Sequence, residues 1–355
     1  MTDPHTPSNT TPLHILVDIG HPGDVHVFYQ PILKWQARGH HITVTTTDKD
    51  VSLQLLDFYG LDYHVIGVRK PGLMNLAWLL VARTLRIIWL SRRGRPDILV
   101  SISSATAALA SQLMNRPHIA FDDSEFGTQQ RAVYKPFTEA ICTPRQFEVD
   151  FGKKHVRYDG FKELAYLHPN YFTPNPDVLR GLGIDPNEQF FVLRLVSWDA
   201  AHDYGEHGFT PHGREQLIKR LQKVGRVIVS YEGQVPKDLS TGQNLPVDAM
   251  LHLLAYAHFF ISEGLTMVTE SALLGTPAIL VNTLKAGNMH LLQDRYHLAE
   301  IHPNDGDVLA AVERWLADPE LKTKAAVNRQ RLLDESVDVS QFITDFTEEF
   351  VHKSS

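Results

Sequence analysis

Glu270 is the residue in this sequence with the most pointed chemistry. It lies in the run Ala257 to Asn282, AHFFISEGLTMVTESALLGTPAILVN. There it falls one turn into an expected helix, and its carboxylate can accept two hydroxyl hydrogen bonds from a ribose. Charge-assisted hydrogen bonds of that kind contribute about 1.5–3 kcal/mol each, enough to fix a ligand's orientation. Ser262, Glu263 and Gly264 form the turn before the helix, and Thr266 occupies its expected N-cap. Unpaired backbone N–H groups and the positive end of the helix dipole make such a turn a seat for a diphosphate. A second acidic group, Asp122-Asp123-Ser124-Glu125, follows the apolar run His118 to Phe121. Close carboxylates can raise one another's pKa and yield a general base near neutral pH. A cluster that complements the dipole of a following helix fits the same residues.

Regular elements must place these groups. His258 to Ser262 is read as a buried strand, Met267 to Leu274 as a helix, Gly275-Thr276-Pro277 as its stop, and Ala278 to Val281 as the next strand. The opening has the same pattern: strand His14 to Asp18, Gly/Pro loop 20–26, helix Val27 to Arg38, Gly39, then strand His41 to Thr46. Ligands of such units bind beyond the carboxyl ends of the strands. The loop lacks GxGxxG, so a dinucleotide fingerprint is absent. Further strands are expected at Asp97 to Ser101, Ala140 to Pro144, Val156 to Tyr158, Gln189 to Leu195 and Arg226 to Val229. Glu232 and Gly233 follow the last of these, at a strand terminus on the same side as Glu270. Alternating strands and helices point to an α/β protein with parallel sheets.

At 355 residues the chain suits two domains. A disordered tail is expected over 1–13, a first domain over 14–167, and a Pro/Asn-rich linker over 168–188. A second domain is expected over 189–337, and a last helix over 338–355. With a net charge of −7 and no basic stripe, a nucleic-acid partner is not expected. A single cysteine, Cys142, excludes an internal disulfide and fits a reducing compartment, so the expected location is cytoplasmic. His202, His207 and His212, near Asp203 and Glu206, are spaced too irregularly for a zinc site, and a polar substrate-covering loop is expected instead. No metal or other cofactor is expected.

Leu73 to Leu90 (LMNLAWLLVARTLRIIWL) runs into SRRGR, and Arg83 and Arg86 interrupt what would otherwise approach a membrane span. A core-facing helix with a solvated end is the favoured expectation. Contact of 73–95 with an anionic membrane surface, peripheral at most, is the alternative.

The segment GLTMVTESALLGTPAIL resembles the nucleotide-sugar signature of GT-B-fold proteins. The peptidoglycan N-acetylglucosaminyltransferase and the non-hydrolysing UDP-N-acetylglucosamine 2-epimerases carry related versions. Across nearly the whole chain, VDIGHPGDVHVF, FDDSE, YLHPNYFTPNP, LRLVSWDA and SYEG are similar to a prokaryotic family filed as domain of unknown function 354, itself GT-B-like. The resemblance implies two facing Rossmann-like, doubly wound domains with an interdomain cleft. It also implies a last helix that crosses back to the first domain. It further implies a metal-independent glycosyltransferase (hexosyl or N-acetylhexosaminyl) using a nucleoside diphosphate sugar, a UDP-sugar first among them. Several such transferases act on lipid-linked acceptors. By the same resemblance Gly264 is the turn glycine, Thr266 the small hydroxyl residue, Glu270 the ribose ligand, and Arg194 a diphosphate contact. His252 lies where related proteins touch the base or ribose, and Lys285 and Asn288, which follow a strand, are expected to contact the donor sugar. Asp123 matches the family's cleft acid. Related loops carry a catalytic histidine, for which His21 and His26 are the candidates here. Counting back from Arg38-Gly39-His40 places Asp24 at that histidine's position. A 2-epimerase is the rival enzyme, although Ser271 stands where its second glutamate would be. A non-catalytic sugar-nucleotide-binding protein is the other rival.

Overall fold

The computed structural model describes residues 11–48, 51–68, 73–125, 127–195, 208–231, 245–246, 249–282 and 286–354. The chain divides into two compact units, Met1–Tyr166 with Val337–Ser355, and Leu167–Ser336.

The first unit is built on a seven-stranded parallel sheet: β1 (His14–Ile19), β2 (His41–Asp48), β3 (His64–Val68), β4 (Ile98–Ile102), β5 (His118–Phe121), β6 (Ala140–Pro144) and β7 (His155–Tyr158). Their spatial order is β3-β2-β1-β4-β5-β6-β7. Helices α1 (Pro22–Ala37), α2 (Ser52–Phe58), α3 (Leu73–Leu90), α4 (Ala105–Met114) and α5 (Thr128–Tyr134) link them, and α6 (Leu164–Leu167) follows β7. A parallel sheet is covered on both faces, so its strands read as unbroken apolar runs. Ile15, Leu16, Val17 and Ile19 are all buried accordingly. Strand order reverses between β1 and β4, where Asp18 pairs in register with Ser101. That reversal is the topological switch point at which open α/β sheets take ligands.

Two local features differ from expectation. Helix α1 starts at Pro22, so 22–26 is not a loop. Proline at the first helical position has a preset φ and lacks an N–H that would be orphaned there. His21 caps it through Nδ1, which accepts the Gly23 N–H at 3.2 Å, and the Asp24 carboxylate closes the capping box on the His21 N–H at 2.9 Å. Helix α3 has two characters: Thr84 and Ile87 face the core, while Trp78, Val81, Leu85 and Trp89 are exposed.

The second unit carries a five-stranded parallel sheet of β8 (Phe190–Leu195), β9 (Arg226–Tyr231), β10 (Phe260–Ser262), β11 (Ala278–Leu280) and β12 (Ala299–Ile301). Its order is β12-β11-β10-β8-β9, with the reversal between β8 and β10. The helices are α7 (Pro176–Gly181), α8 (Pro211–Leu221), α9 (Ala249–Tyr256), α10 (Leu265–Leu273), α11 (Gly287–His290), α12 (Asp305–Ala317) and α13 (Leu321–Asp334). Residues 168–188 are built into this unit, and α7 within them packs against α9.

Helix α14 (Val339–Ser354) belongs to the first unit and packs on α1. Arg38 reaches Asp345 and Glu348 at 2.9 Å, the Trp35 indole donates to the Thr344 carbonyl, and Phe342 packs on Tyr158.

Candidate functional site

In the second unit the β10–α10 corner occupies the switch point. Ser262 on β10 pairs in register with Arg194 on β8, and Arg194 with Ser230 on β9. Arg194 Nη1 donates to the Ser230 hydroxyl at 2.6 Å, which holds the guanidinium near the carboxyl end of the sheet. The turn is braced by its own side chains. Ser262 Oγ accepts the Gly264 N–H at 3.0 Å. Glu263 is buried, its carboxylate accepts the Phe209 N–H at 2.8 Å, and its carbonyl accepts from Asn282 Nδ2 at 2.9 Å.

Helix α10 starts at Leu265, so its N-cap is Gly264 and not Thr266, which is exposed in the first turn. Gly264 is extended (φ −101°), a conformation open to any residue, and it supplies no side-chain acceptor. Among the described residues the first N–H groups of α10 therefore have no side-chain cap at the positive end of the helix dipole. Glu270 sits in the second turn of this helix and is buried. The helix ends as expected. Gly275 has φ +86°, its N–H donates to the Ala272 carbonyl and the Thr276 N–H to the Ser271 carbonyl, a Schellman stop ahead of Pro277.

His252 sits on α9, where its Nδ1 accepts the Asn175 N–H at 2.9 Å and its ring lies against Phe172. The imidazole thus steadies the N-cap of α7, and an accepting Nδ1 leaves the proton on Nε2. Asn288 is partly buried on α11. Glu232, Gly233, Lys285, His202, Asp203, Glu206 and His207 lie outside the described residues. His212 is on α8, bonded to Gln216.

In the first unit, polar side chains gather at the carboxyl ends of β1, β4 and β5. Asp18 is buried and accepts Thr45 Oγ1 at 2.7 Å and Ser104 Oγ at 2.5 Å, and burial raises its pKa. Ser104 also caps α4. Ser103 lies in the left-handed region at φ 50°, a strained conformation for a residue with a Cβ, at the end of β4. Asp122 is buried and bonded to the Tyr134 hydroxyl and the Ser124 N–H, and burial raises its pKa as well. The acids do not cap α5, whose N-cap is Gly127.

Asp123 forms an ion pair with Lys162 Nζ at 2.8 Å, and the two side chains are only 14% and 16% exposed. Asp24 lies within reach of both charges. Its Oδ2 accepts the Gly20 and His21 N–H groups at 3.0 and 2.9 Å, and among the described residues Oδ1 has no hydrogen-bond partner. Burial lifts the Asp24 carboxyl to about 7, aided by Asp123 and opposed by Lys162 and the two N–H groups. His21 is the exposed cap described above. His26 packs on Tyr59 and Tyr166, its Nδ1 is 2.7 Å from the Tyr59 hydroxyl, and burial drops its pKa to about 4. The structure thus brings Asp24, Asp123 and Lys162 together and gives both histidines packing or capping work. Lys162 carried no sequence signal beyond its place after β7.

Two doubly wound parallel sheets, each with polar groups gathered at its switch point, define an α/β protein of the GT-B type. The chain belongs to the family described as "Protein of unknown function (DUF354)", whose profile matches residues 13–339. An uncharacterized protein of Methanocaldococcus jannaschii, MJ0665, is 23% identical over 280 residues, 75% of this chain and 81% of its own length. Among solved structures, the Neisseria meningitidis UDP-GlcNAc 2-epimerase bound to UDP-GlcNAc is similar with a TM-score of 0.72 and 12% identity, over 95% of this chain and 100% of that one. Acinetobacter baumannii MurG is similar with a TM-score of 0.60 and 14% identity, also over 95% and 100%. At these identities the likeness establishes the fold. Among the described residues, no helix is long and apolar enough to cross a membrane.

Proposed function

We propose that this protein is a glycosyltransferase that takes a nucleoside diphosphate sugar, of the UDP-sugar class, on its second unit and an acceptor hydroxyl on its first. The observation that carries the donor half is α10: an N-terminus whose cap offers no side-chain acceptor, with the buried Glu270 on the same helix. The N–H groups and dipole of α10, with Arg194, hold the diphosphate, and Glu270 accepts the ribose hydroxyls. The Neisseria meningitidis 2-epimerase that this chain resembles holds UDP-GlcNAc in its structure, which supports the donor class.

Asp24 is the base in this proposal, in preference to His21 or His26. Its Oδ1 takes the acceptor proton as the acceptor oxygen bonds to the sugar's anomeric carbon. The nucleoside diphosphate departs with the electron pair of the broken bond, its charge met by α10 and Arg194. Asp123 stays paired with Lys162 and shapes the field around Asp24. Ser271 supports transfer over epimerisation, because its hydroxyl is buried and donates to the Thr276 carbonyl at 3.0 Å as part of the helix stop.

The test is a proton and phosphorus NMR time course of the protein with UDP-N-acetylglucosamine and a panel of hydroxyl acceptors. Release of UDP with a new glycosidic signal is the expected result. A 2-epimerised sugar with the diphosphate intact would replace the transferase by an epimerase. Binding with no turnover under any condition would leave a sugar-nucleotide carrier.

A further inference from the structure

Helix α3 turns a row of large apolar side chains to solvent. Trp78 is 69% exposed, Val81 51%, Leu85 57% and Trp89 57%. Their spacing of three, four and four residues puts them on one stripe of the helix, about three turns long. The opposite face is spent on the core, where Ile87 packs with Leu16, Ile66 and Leu99. Arg83 also turns inward, so close over the backbone of Gly67 that a Cβ there would meet Arg83 Nε at 2.9 Å. The outward stripe is thus not needed to hold the first sheet together.

Its surroundings are one-sided in charge. From Leu73 to Pro96 there are five arginines and no acid, in a chain whose net charge is −7. Arg86 flanks the stripe and Arg92 and Arg93 lie just past the end of the helix; all three are exposed, and none has an ion-pair partner among the described residues. Indole rings favour the boundary between headgroups and acyl chains, and neighbouring arginines favour anionic headgroups. A symmetric contact with a second copy would crowd these like charges together, whereas an anionic bilayer neutralises them.

We infer that α3 is a membrane-docking face: the stripe Trp78, Val81, Leu85 and Trp89 lies in the surface of an anionic lipid bilayer, with Arg86, Arg92 and Arg93 on its headgroups. The helix lies on the membrane and does not span it. This surface is independent of the sugar-nucleotide proposal and stands if that proposal fails.

The test is co-sedimentation of the full chain with vesicles of phosphatidylcholine alone or with about one third phosphatidylglycerol, at low and high salt. Binding to the anionic vesicles at low salt is expected, with a blue shift of tryptophan emission. Trp78→Ser with Trp89→Ser should weaken it at least about tenfold. Arg86→Gln with Arg92→Gln and Arg93→Gln should remove the preference for anionic lipid. A second apolar variant, Val81→Asn with Leu85→Asn, guards against a folding defect, and circular dichroism melts should match wild type for all three. Wild-type protein that stays in the supernatant with anionic vesicles would overturn the inference. So would apolar variants that bind as tightly as wild type. A concentration-dependent dimer that ignores vesicles and is dissolved by Trp78→Ser with Trp89→Ser would overturn it in favour of a second copy.

Discussion

Lys162 Nζ lies 2.8 Å from Asp123 Oδ2, a contact between residues 39 positions apart in which both side chains are largely buried. Removal of one partner strands a charge in a poorly solvated place, which typically costs several kcal/mol. Lys162→Met should therefore destabilise the protein by about 3 kcal/mol in urea unfolding. The double variant Lys162→Met with Asp123→Asn should lose less than the sum of the single losses, because the stranded charge is gone.

Asp24 makes stability depend on pH in a defined direction. Its folded pKa is near 7, above the ordinary carboxyl value. The native state then holds a proton that the unfolded chain has released, so stability is full below about pH 4 and declines as pH rises toward 7. At about 1.4 kcal/mol per pKa unit, the change approaches about 4 kcal/mol. Asp24→Asn keeps an oxygen to accept the Gly20 and His21 N–H groups and should flatten that slope in unfolding curves taken from pH 4 to 8. If Asp24 is the base, wild-type turnover should rise with pH with an apparent pKa near 7, and Asp24→Asn should lower kcat by about 10²-fold or more while leaving donor binding intact.

His26 acts in the opposite sense. Its folded pKa is lowered to about 4, so the native state resists a proton that the unfolded chain takes up below about pH 6.5. Stability from this group is full above pH 6.5 and lost as pH falls toward 4, by about 3 kcal/mol. His118, buried between Ser101 and Thr138 with a pKa lowered to about 3, adds to the same acid limb. The variant His26→Gln should unfold less steeply with acid than wild type in guanidinium titrations at pH 4 to 7.

Gly275→Ala tests the helix stop. The position has φ +86°, and an added Cβ would lie 2.8 Å from Arg329 Cδ, on a side chain that donates to the Leu273 carbonyl at 2.6 Å. The left-handed backbone alone costs about 1–2 kcal/mol for a residue with a Cβ. A loss of about 2 kcal/mol or more in thermal unfolding is expected.

Much of this architecture is legible in the sequence because parallel strands read as apolar runs and the Gly-Thr-Pro stop after α10 is local chemistry. The bounds of α3, β5 and β6 match the apolar runs that foretold them. Helix starts were less legible. Pro22 and its capping box lie in a stretch whose composition suggests a loop, and Thr266 looks like a cap although the extended backbone falls at Gly264. The first-unit cluster was the least legible. Asp24 looks like an ordinary first-turn acid until its burial is known, and no periodicity connects Asp123 to Lys162. The exposed stripe of α3 has the composition of a buried helix, and only packing tells which face is turned outward.

The most direct measurement is isothermal titration of the full chain with UDP-, GDP-, TDP- and CMP-sugars, alongside Glu270→Ala. Binding of the UDP class at micromolar or better affinity is predicted, weakened at least about tenfold by Glu270→Ala, in line with the loss of charge-assisted hydrogen bonds. Wild-type protein that binds none of the panel, or a Glu270→Ala variant that binds as tightly as wild type, would contradict the assignment of α10 as the donor site.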